Sequence, residues 1–214
     1  MAVALRSRLR EAAFSILPTG RLLRRGPATV RRVALTFDDG PDHHTDDYLD
    51  VLDRYRVPAT FFIMGDMSEL RPDLVREYVR RGHQVGSHGY DHHKFTELGQ
   101  TALAQQLRAT DNAIGPQPDG KWVRPPHGTL GFRAVAQLLA SDYVIALWSF
   151  DSLDYELKDA DAIAARCTPE AITPGEVVLF HEGMPSTLRA LPRVIEGLQG
   201  AGYECVTMAD LFRS

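Results

Sequence analysis

Two acidic residues, Asp38 and Asp39, stand side by side after an apolar run in the segment 36–41, Thr-Phe-Asp-Asp-Gly-Pro. Adjacent carboxylates repel each other, so the pair indicates a metal ion or a basic side chain close by. One carboxylate can then bind a metal while the other acts as a general base. A solvated turn or a helix N-cap is the alternative, but the turn at Gly40-Pro41 explains one aspartate better than two.

Two histidines, His88 and His92, are four residues apart. On a turn of helix, positions i and i+4 lie on one face, so both imidazoles could reach a single ion. The spacing alone is a weak signal, but it gains weight beside the acidic pair. Two imidazoles and one carboxylate leave coordination positions open for water and substrate. We expect His93 to point away from the shared face, and we assign His43 and His44 to a loop.

Three further candidates occur later in the chain. Arg124 begins a stiff Pro-Pro-His-Gly loop, which can fix one cation beside an acid and present a backbone N–H to an oxyanion. Asp154 and His181 fit an aspartate that orients a histidine and supports its cationic form. The alternatives are a surface turn for the loop and a satisfied core residue for His181.

Short runs of apolar, β-branched or aromatic residues predict seven strands, at 33–37, 60–63, 84–87, 121–123, 143–148, 176–180 and 203–206. Segments of helical period alternate with them, at 46–56, 70–81, 97–114, 130–140, 158–171 and 187–199. This alternation predicts an α/β fold with parallel strands, helices outside and a closed or nearly closed barrel. No Gly-x-Gly-x-x-Gly follows the first strand, which disfavours a dinucleotide-binding domain. The candidate residues fall at strand ends, and the carboxyl ends of parallel strands form one face of a barrel.

Charge is distributed unevenly along the chain. Residues 1–32 contain eight arginines and one glutamate, a local charge of +7, while the rest contains 16 basic and 27 acidic residues, or −11. Apolar positions at helical spacing within residues 3–17 predict a short amphipathic helix. We therefore predict two regions, a basic N-terminal helix and linker at 1–30 and a folded domain at 31–214.

The basic segment suggests two partners. Residues 3–25 could make peripheral contact with an anionic membrane, or the segment could pack on its own acidic domain. Nucleic acid is not expected, because the domain is acidic and no basic stripe is interleaved with aromatics. The segment is a poor secretory signal, and Cys167 and Cys205 fit free thiols, so we expect a cytoplasmic protein. The sequence does not indicate an oligomeric state.

Five segments, in order, resemble the motifs of the polysaccharide deacetylases, the nodulation-type chitooligosaccharide deacetylases of the fourth carbohydrate esterase family. They are TFDDGP at 36–41, GHQVGSHGYDHH at 82–93, RPPHG at 124–128, WSFDSLDY at 148–155 and LFH at 179–181. PATFF at 58–62 also resembles the second strand of that family. The resemblance covers residues 32–212, roughly the predicted domain.

This resemblance implies a distorted (β/α)7-type barrel and a hydrolase that removes the N-acetyl group of an amino sugar. It implies that a divalent metal is bound by Asp39, His88 and His92. Zinc is the expected ion, with cobalt, manganese or nickel as alternatives. The metal would polarise a water molecule, and Asp38 would take its proton.

The resemblance also assigns the remaining site residues. His181 is the general acid for the departing amine and is supported by Asp154. Arg124 pairs with Asp38 and keeps it ionised. The backbone N–H of His127 holds the oxyanion. The other residues assigned to the substrate and oxyanion pocket are Pro126, Tyr155 and Leu179.

Three residues depart from the family pattern. His127 stands where the family has tyrosine, Tyr155 where it has tryptophan, and Glu182 where it has aspartate. None of them removes a metal ligand, the base or the acid, so an active enzyme is expected. Its substrate is expected to be a small oligosaccharide, a lipid-linked sugar or a glycoside rather than a long chitin-like polymer.

Other functions remain as alternatives. The same fold hosts hydrolases of other linear amides, such as formamides. Two histidines and a carboxylate can also hold iron in oxygenases, although there the acid usually lies near the first histidine. A sugar-binding relative without catalysis would need neither Asp38 nor His181.

Overall fold

Parallel strands provide the frame of the protein. The computed structural model describes residues 20–213, so the predicted helix at 3–17 lies outside the described residues. In this part of the chain nine strands form one sheet. They are β1 (Leu22–Leu23), β2 (Arg32–Asp38), β3 (Thr60–Ile63), β4 (Gln84–Ser87), β5 (Trp122–Val123), β6 (Val144–Ala146), β7 (Phe150–Asp151), β8 (Val177–His181) and β9 (Glu204–Cys205).

The strand order makes this sheet a curled, partly open barrel. Across the sheet the order is β1-β6-β5-β4-β3-β2-β8-β7, with β9 paired to β2, and every pairing is parallel. Within the described residues the end strands β1 and β7 do not pair with each other. The distorted (β/α) barrel predicted from the sequence is thereby confirmed, with its opening between these two strands.

The described part of the chain contains nine α-helices, eight between strands and one after the last strand. They are α1 (Thr45–Tyr55), α2 (Gly65–Leu70), α3 (Pro72–Arg80), α4 (Gln100–Ile114), α5 (Phe132–Ala140), α6 (Asp154–Leu157), α7 (Ala160–Arg166), α8 (Pro185–Gly200) and α9 (Met208–Phe212). None of these helices is long and apolar enough to cross a membrane.

Side-chain alternation along β2 explains how the sheet separates its two faces. Val33, Leu35 and Phe37 belong to the core between the sheet and the outer helices. The intervening side chains face the barrel interior, where Ala34 packs with residues of α9 such as Met208. The next inward positions along β2 belong to Thr36 and Asp38, so the same alternation brings Asp38 to the inner end of the strand.

The structure confirms all seven predicted strands and adds two that the sequence analysis missed. These are β1 and β7, which are two residues long and therefore too short to show a period. Helices α2, α6 and α9 were also missed, and the helix predicted at 158–171 is shorter, ending at Arg166. Strand β1 lies in the segment predicted as a linker and pairs with β6, while the boundary at residue 30 stays a prediction.

The described part of the basic segment contacts the domain itself. Arg21 pairs with Asp142 at 3.0 Å, and Arg25 with Glu176 at 3.3 Å. These pairs agree with the alternative in which the segment packs on its own acidic domain. Each arginine side chain is a little under half exposed, and pairs this close to solvent contribute about 1 kcal/mol or less. Contact of residues 3–25 with a membrane stays a prediction.

Candidate active site

Three side chains at the carboxyl end of the sheet converge on one point. Asp39 follows β2, while His88 and His92 follow β4. The Oδ1 atom of Asp39 lies 3.5 Å from Nε2 of His88 and 3.3 Å from Nε2 of His92. Among residues 20–213 this is the group of histidines and acids whose ligand atoms could share an ion, all within 4.8 Å of one another.

These distances fit a tetrahedral metal ion. Two ligand atoms that each lie about 2.1 Å from a zinc ion are about 3.4 Å apart at tetrahedral geometry. The Oδ1 atom of Asp39 is buried and has no hydrogen-bond partner in the described structure, as expected for an atom that serves a metal. Burial lowers the pKa of His88 to about 3, so its imidazole is neutral and able to bind an ion.

The histidines reach this point through a loop and not through a helix, which corrects the sequence interpretation. No regular element covers residues 88–95, and His92 adopts a left-handed backbone with φ of 62°. The ring of His88 is oriented by its Nδ1, which lies 2.8 Å from the Arg124 carbonyl oxygen and leaves Nε2 for the ion. His93 is exposed and pairs with Asp91, as its predicted orientation requires.

Asp38 lies beside this group with one oxygen engaged and the other facing it. Its Oδ1 accepts a hydrogen bond from Nη1 of Arg124 at 2.7 Å, and its Oδ2 lies 3.7 Å from Nε2 of His88. Burial raises the pKa of the Asp38 carboxyl, against the opposite effect of the Arg124 charge. A raised pKa makes this carboxylate a stronger proton acceptor.

Arg124 is fully buried behind Asp38 and does not line the cleft. Its Nη1 also donates to Thr36 Oγ1 at 2.8 Å, and its guanidinium lies 4.2 Å from the ring centroid of Phe62. The predicted ion pair with Asp38 is therefore observed, and Arg124 acts on the site through that residue.

Asp154 and His181 form a second pair, at the end of β8 next to Asp38 on β2. Oδ1 of Asp154 lies 2.8 Å from Nδ1 of His181, and its Oδ2 accepts from the backbone N–H of His181 and from the Thr187 hydroxyl. Burial lowers the pKa of His181, but the hydrogen bond and charge of Asp154 outweigh it and bring the pKa to about 9. The imidazole is therefore cationic at neutral pH.

The loop after β5 forms another wall. Pro126–Gly128 is a single 3-10 turn in which His127 has φ of 58°. The His127 ring packs edge-on to His92, with ring centroids 4.6 Å apart. Gly128 also has positive φ, and a Cβ there would meet the Trp148 ring at 2.6 Å, so this position requires glycine.

A cleft of about 440 Å³ joins these groups. The predicted residues that line it are Asp38, Asp39, His88, His92, His127, Tyr155, Leu179 and His181. Asp154 lies behind the wall. Pro126 is also buried, with its side chain next to Gly89, and its assignment to the substrate pocket stays a prediction. Tyr155 stands edge-on to His181, with ring centroids 5.4 Å apart.

Comparison with known proteins identifies the family to which this arrangement belongs. Residues 25–144, more than half of the chain, match the family model described as Polysaccharide deacetylase. The chain belongs to the polysaccharide deacetylase family. The resemblance inferred from its motifs is therefore confirmed.

Individual polysaccharide deacetylases extend the match beyond this segment. The chain is 34% identical over 187 residues to the peptidoglycan-N-acetylglucosamine deacetylase PgdA of Listeria monocytogenes, covering 86% of this chain and 39% of that protein. It is 33% identical over 200 residues to the chitooligosaccharide deacetylase of Bradyrhizobium sp., covering 85% of this chain and 91% of that one. The chain thus spans well under half the length of the Listeria relative and most of the Bradyrhizobium one.

A solved structure has the same fold. The structure described as T48 deacetylase with substrate superimposes with a TM-score of 0.80 at 35% identity, covering 87% of this chain and 92% of that chain. Polysaccharide deacetylases of this family are metal-dependent, and the present chain has a candidate Asp-His-His site in the corresponding motifs.

Several residues of this site were not predicted from the sequence. Thr36 and Thr187 hold Arg124 and Asp154, respectively, and four additional residues line the cleft. The latter are Trp148, Lys158, Glu182 and Met184. Period-2 alternation from Asp38 back to Thr36 was the one available signal, since it places both side chains on the inner face. The others depend on contacts between distant segments.

Glu182, noted only as a departure from the family pattern, is a buried acid at this site. Burial raises the pKa of its carboxyl to about 8, with hydrogen bonds from Tyr78 and Thr45 acting in the opposite direction. Between about pH 4.5 and about pH 8 the folded protein therefore binds a proton here that the unfolded chain has released. The free energy of unfolding should fall as pH rises through this window, by at most roughly 1.4 kcal/mol per pH unit.

We expect Glu182→Gln to remove this part of the pH dependence, because the amide does not titrate. Urea unfolding of the chelator-treated protein at about pH 5 and about pH 8 measures the effect. The wild type should lose more stability than the variant between the two values. Equal losses in the two proteins would show that Glu182 does not carry a raised pKa.

Proposed function

We propose that this protein is a zinc-dependent deacetylase that hydrolyses the N-acetyl group of an amino sugar. The observation that carries the proposal is the position of Asp39 Oδ1 between two imidazole nitrogens, with the free oxygen of Asp38 3.7 Å from one of them. A carboxylate and two imidazoles match the donor set of catalytic zinc sites, which keep a position open for water.

Asp39, His88 and His92 would hold the ion. When bound there, zinc supplies a Lewis acid for the acetyl carbonyl and lowers the pKa of a water molecule. Asp38 accepts the proton of the attacking water on Oδ2, because its Oδ1 is held by Arg124. The Arg124 charge lowers the pKa of Asp38 against the larger effect of burial and so favours the ionised form that can take a proton.

His181 completes the reaction as the general acid. Its Nδ1 donates to Asp154, so the proton on Nε2 is available to the nitrogen of the leaving amine. The backbone N–H of His127 is proposed to stabilise the oxyanion from the turn at the cleft wall. The products are acetate and a free amino sugar.

The substrate class follows from the relatives. Those named above act, by their names, on N-acetylglucosamine in peptidoglycan and on chitooligosaccharides. We infer an N-acetylglucosamine-containing glycan or small oligosaccharide for the present protein. A non-catalytic sugar binder is not favoured, because the base and the acid are both retained and both paired with a supporting residue. Hydrolysis of another linear amide would use the same groups, but no relative named above points to it.

Acetate release from a panel of N-acetylated sugars, with and without chelator, tests the proposal directly. N-acetylglucosamine oligomers and peptidoglycan fragments should release acetate in the presence of zinc, and chelation should stop the release. Formylated and non-sugar amides are tested in the same way as alternative substrates, and we expect them to be hydrolysed more slowly than the N-acetylated sugars. Acetate release that persists after complete removal of metal would contradict the mechanism.

The Asp154–His181 pair gives a pH-dependent prediction. In Asp154→Asn the imidazole loses the carboxylate that raises its pKa, so its proton is lost at lower pH than in the wild type. The alkaline limb of the profile of kcat/KM against pH should therefore move to lower pH, by about one unit or more. An unchanged alkaline limb, with activity reduced equally at every pH, would mean that His181 is not the group that titrates.

A further inference from the structure

Glu182 is a buried acid that the proposed chemistry does not use. The residue is 4% exposed and contributes to the lining of the cleft. The Tyr78 hydroxyl donates to Oε2 at 2.8 Å and lies 3.0 Å from Oε1, and the Thr45 hydroxyl donates to Oε1 at 2.9 Å. Burial of a carboxyl group is unfavourable unless such partners compensate for it.

These contacts connect Glu182 to residues 38–45, a segment that consists of the loop between β2 and α1 together with the last residue of β2 and the first of α1. The Thr45 hydroxyl oxygen accepts from the backbone N–H of Asp42 at 2.8 Å. The backbone N–H of Glu182 donates to the Asp38 carbonyl oxygen at 2.9 Å. A Cβ atom at Gly40 would overlap Glu182 Oε2, so the loop lies directly on the carboxyl group.

The loop needs such support because its backbone is strained. Asp39 has φ of 74°, in the left-handed region that residues other than glycine disfavour. A residue in that region keeps its conformation only where its surroundings fix it. The carbonyl of Gly40, which accepts from Met64 N–H at 2.8 Å, holds the loop from one side. The Glu182 carboxyl occupies the other side.

We propose that Glu182 is a positioning residue, whose buried side chain fixes the 38–45 loop so that Asp39 faces the two imidazoles. The inference deepens the proposed function and rests on it for the identity of the ion. Supporting residues around metal ligands typically change metal affinity 10- to 100-fold when they are removed. Glu182 acts in this way through the loop backbone and makes no contact with the ion.

Zinc affinity of the metal-free protein, measured by competition with a chromophoric chelator, provides a readout independent of activity. Glu182→Ala should weaken zinc binding about tenfold or more, because the loop loses its support. Glu182→Gln should stay within about threefold of the wild type, because the amide fills the same space and its oxygen still accepts from Thr45 and Tyr78. Equal zinc affinity in the alanine variant and the wild type would overturn the inference.

A matched pair at Thr45 keeps the test valid if Glu182→Ala does not fold. Thr45→Val removes the hydroxyl that connects Glu182 to the Asp42 N–H with little change of shape, while Thr45→Ser keeps it. The valine variant should bind zinc several-fold more weakly than the serine variant. Tyr203→Phe, which removes a buried hydrogen bond to the Ile172 carbonyl away from the site, is the control for general destabilisation and should leave zinc affinity unchanged.

The outcomes separate this inference from the proposed function. A wild-type protein that binds no zinc would refute the proposed function itself. The wild type could also bind zinc while Glu182→Ala and Thr45→Val lower the thermal unfolding temperature and leave zinc affinity unchanged. That result would refute the positioning role alone. A loss of zinc affinity in Tyr203→Phe as large as in Thr45→Val would also refute the positioning role. The weaker zinc binding would then result from general destabilisation of the fold.

Discussion

Asp38→Asn is expected to lower the turnover number for acetate release by roughly a thousandfold while the protein retains its zinc. The asparagine amide keeps an oxygen that accepts from Arg124 but cannot take a proton from water. The metal ligands Asp39, His88 and His92 are left in place. Acetate release and the zinc content of the same preparation measure the two effects.

Two controls accompany this variant. The substitution leaves the buried Arg124 without its charge partner, which is expected to destabilise the fold by about 3 kcal/mol, so thermal unfolding should verify that the variant is folded. Asp46→Asn makes the same chemical change at an exposed position of α1 and should leave turnover near the wild-type value. Unchanged turnover in Asp38→Asn would exclude this residue as the base.

His88→Ala is expected to lose most of its bound metal and, with it, nearly all activity. The imidazole supplies one of three converging donors, and its ring is pre-oriented by the Arg124 carbonyl. Two remaining ligands hold zinc far more weakly than three, because the third donor is lost together with its fixed geometry. Metal analysis after dialysis against buffer without zinc measures the loss.

His93→Ala is the matched control for His88→Ala. His93 lies next to a proposed ligand in sequence, yet it is exposed and pairs with Asp91 outside the cluster. Its removal should leave zinc content and acetate release unchanged. Full metal occupancy in His88→Ala, or equal loss in both variants, would contradict the assignment of the ligands.

The sequence could predict that the proposed site residues lie together, because they occur at the carboxyl ends of parallel strands. In a parallel barrel each strand delivers the residue after its carboxyl end to the same face. Asp39 follows β2, the histidine loop follows β4, and His181 ends β8. Local periodicity alone was therefore enough to predict that these side chains meet, although they are far apart along the chain.

Some parts of the site could not be predicted in this way. The spacing of His88 and His92 suggested a helical turn, but the structure has a loop in which His92 takes a left-handed backbone. Four-residue spacing fits several backbone paths, and only packing against other segments selects one. Pro126 was assigned to the substrate pocket by its motif; the structure buries its side chain, and contact with the substrate stays a prediction.

The sequence by itself determined the fold class, the candidate ligands and the acid–base residues, because strand period and motif spacing are local properties of the chain. The tertiary structure decided what holds these residues in place. Glu182 meets Thr45 across 137 positions, and Arg124 meets Asp38 across 86. Such contacts depend on the closing of the barrel and on the burial of charged groups inside it, and no local pattern of residues encodes them.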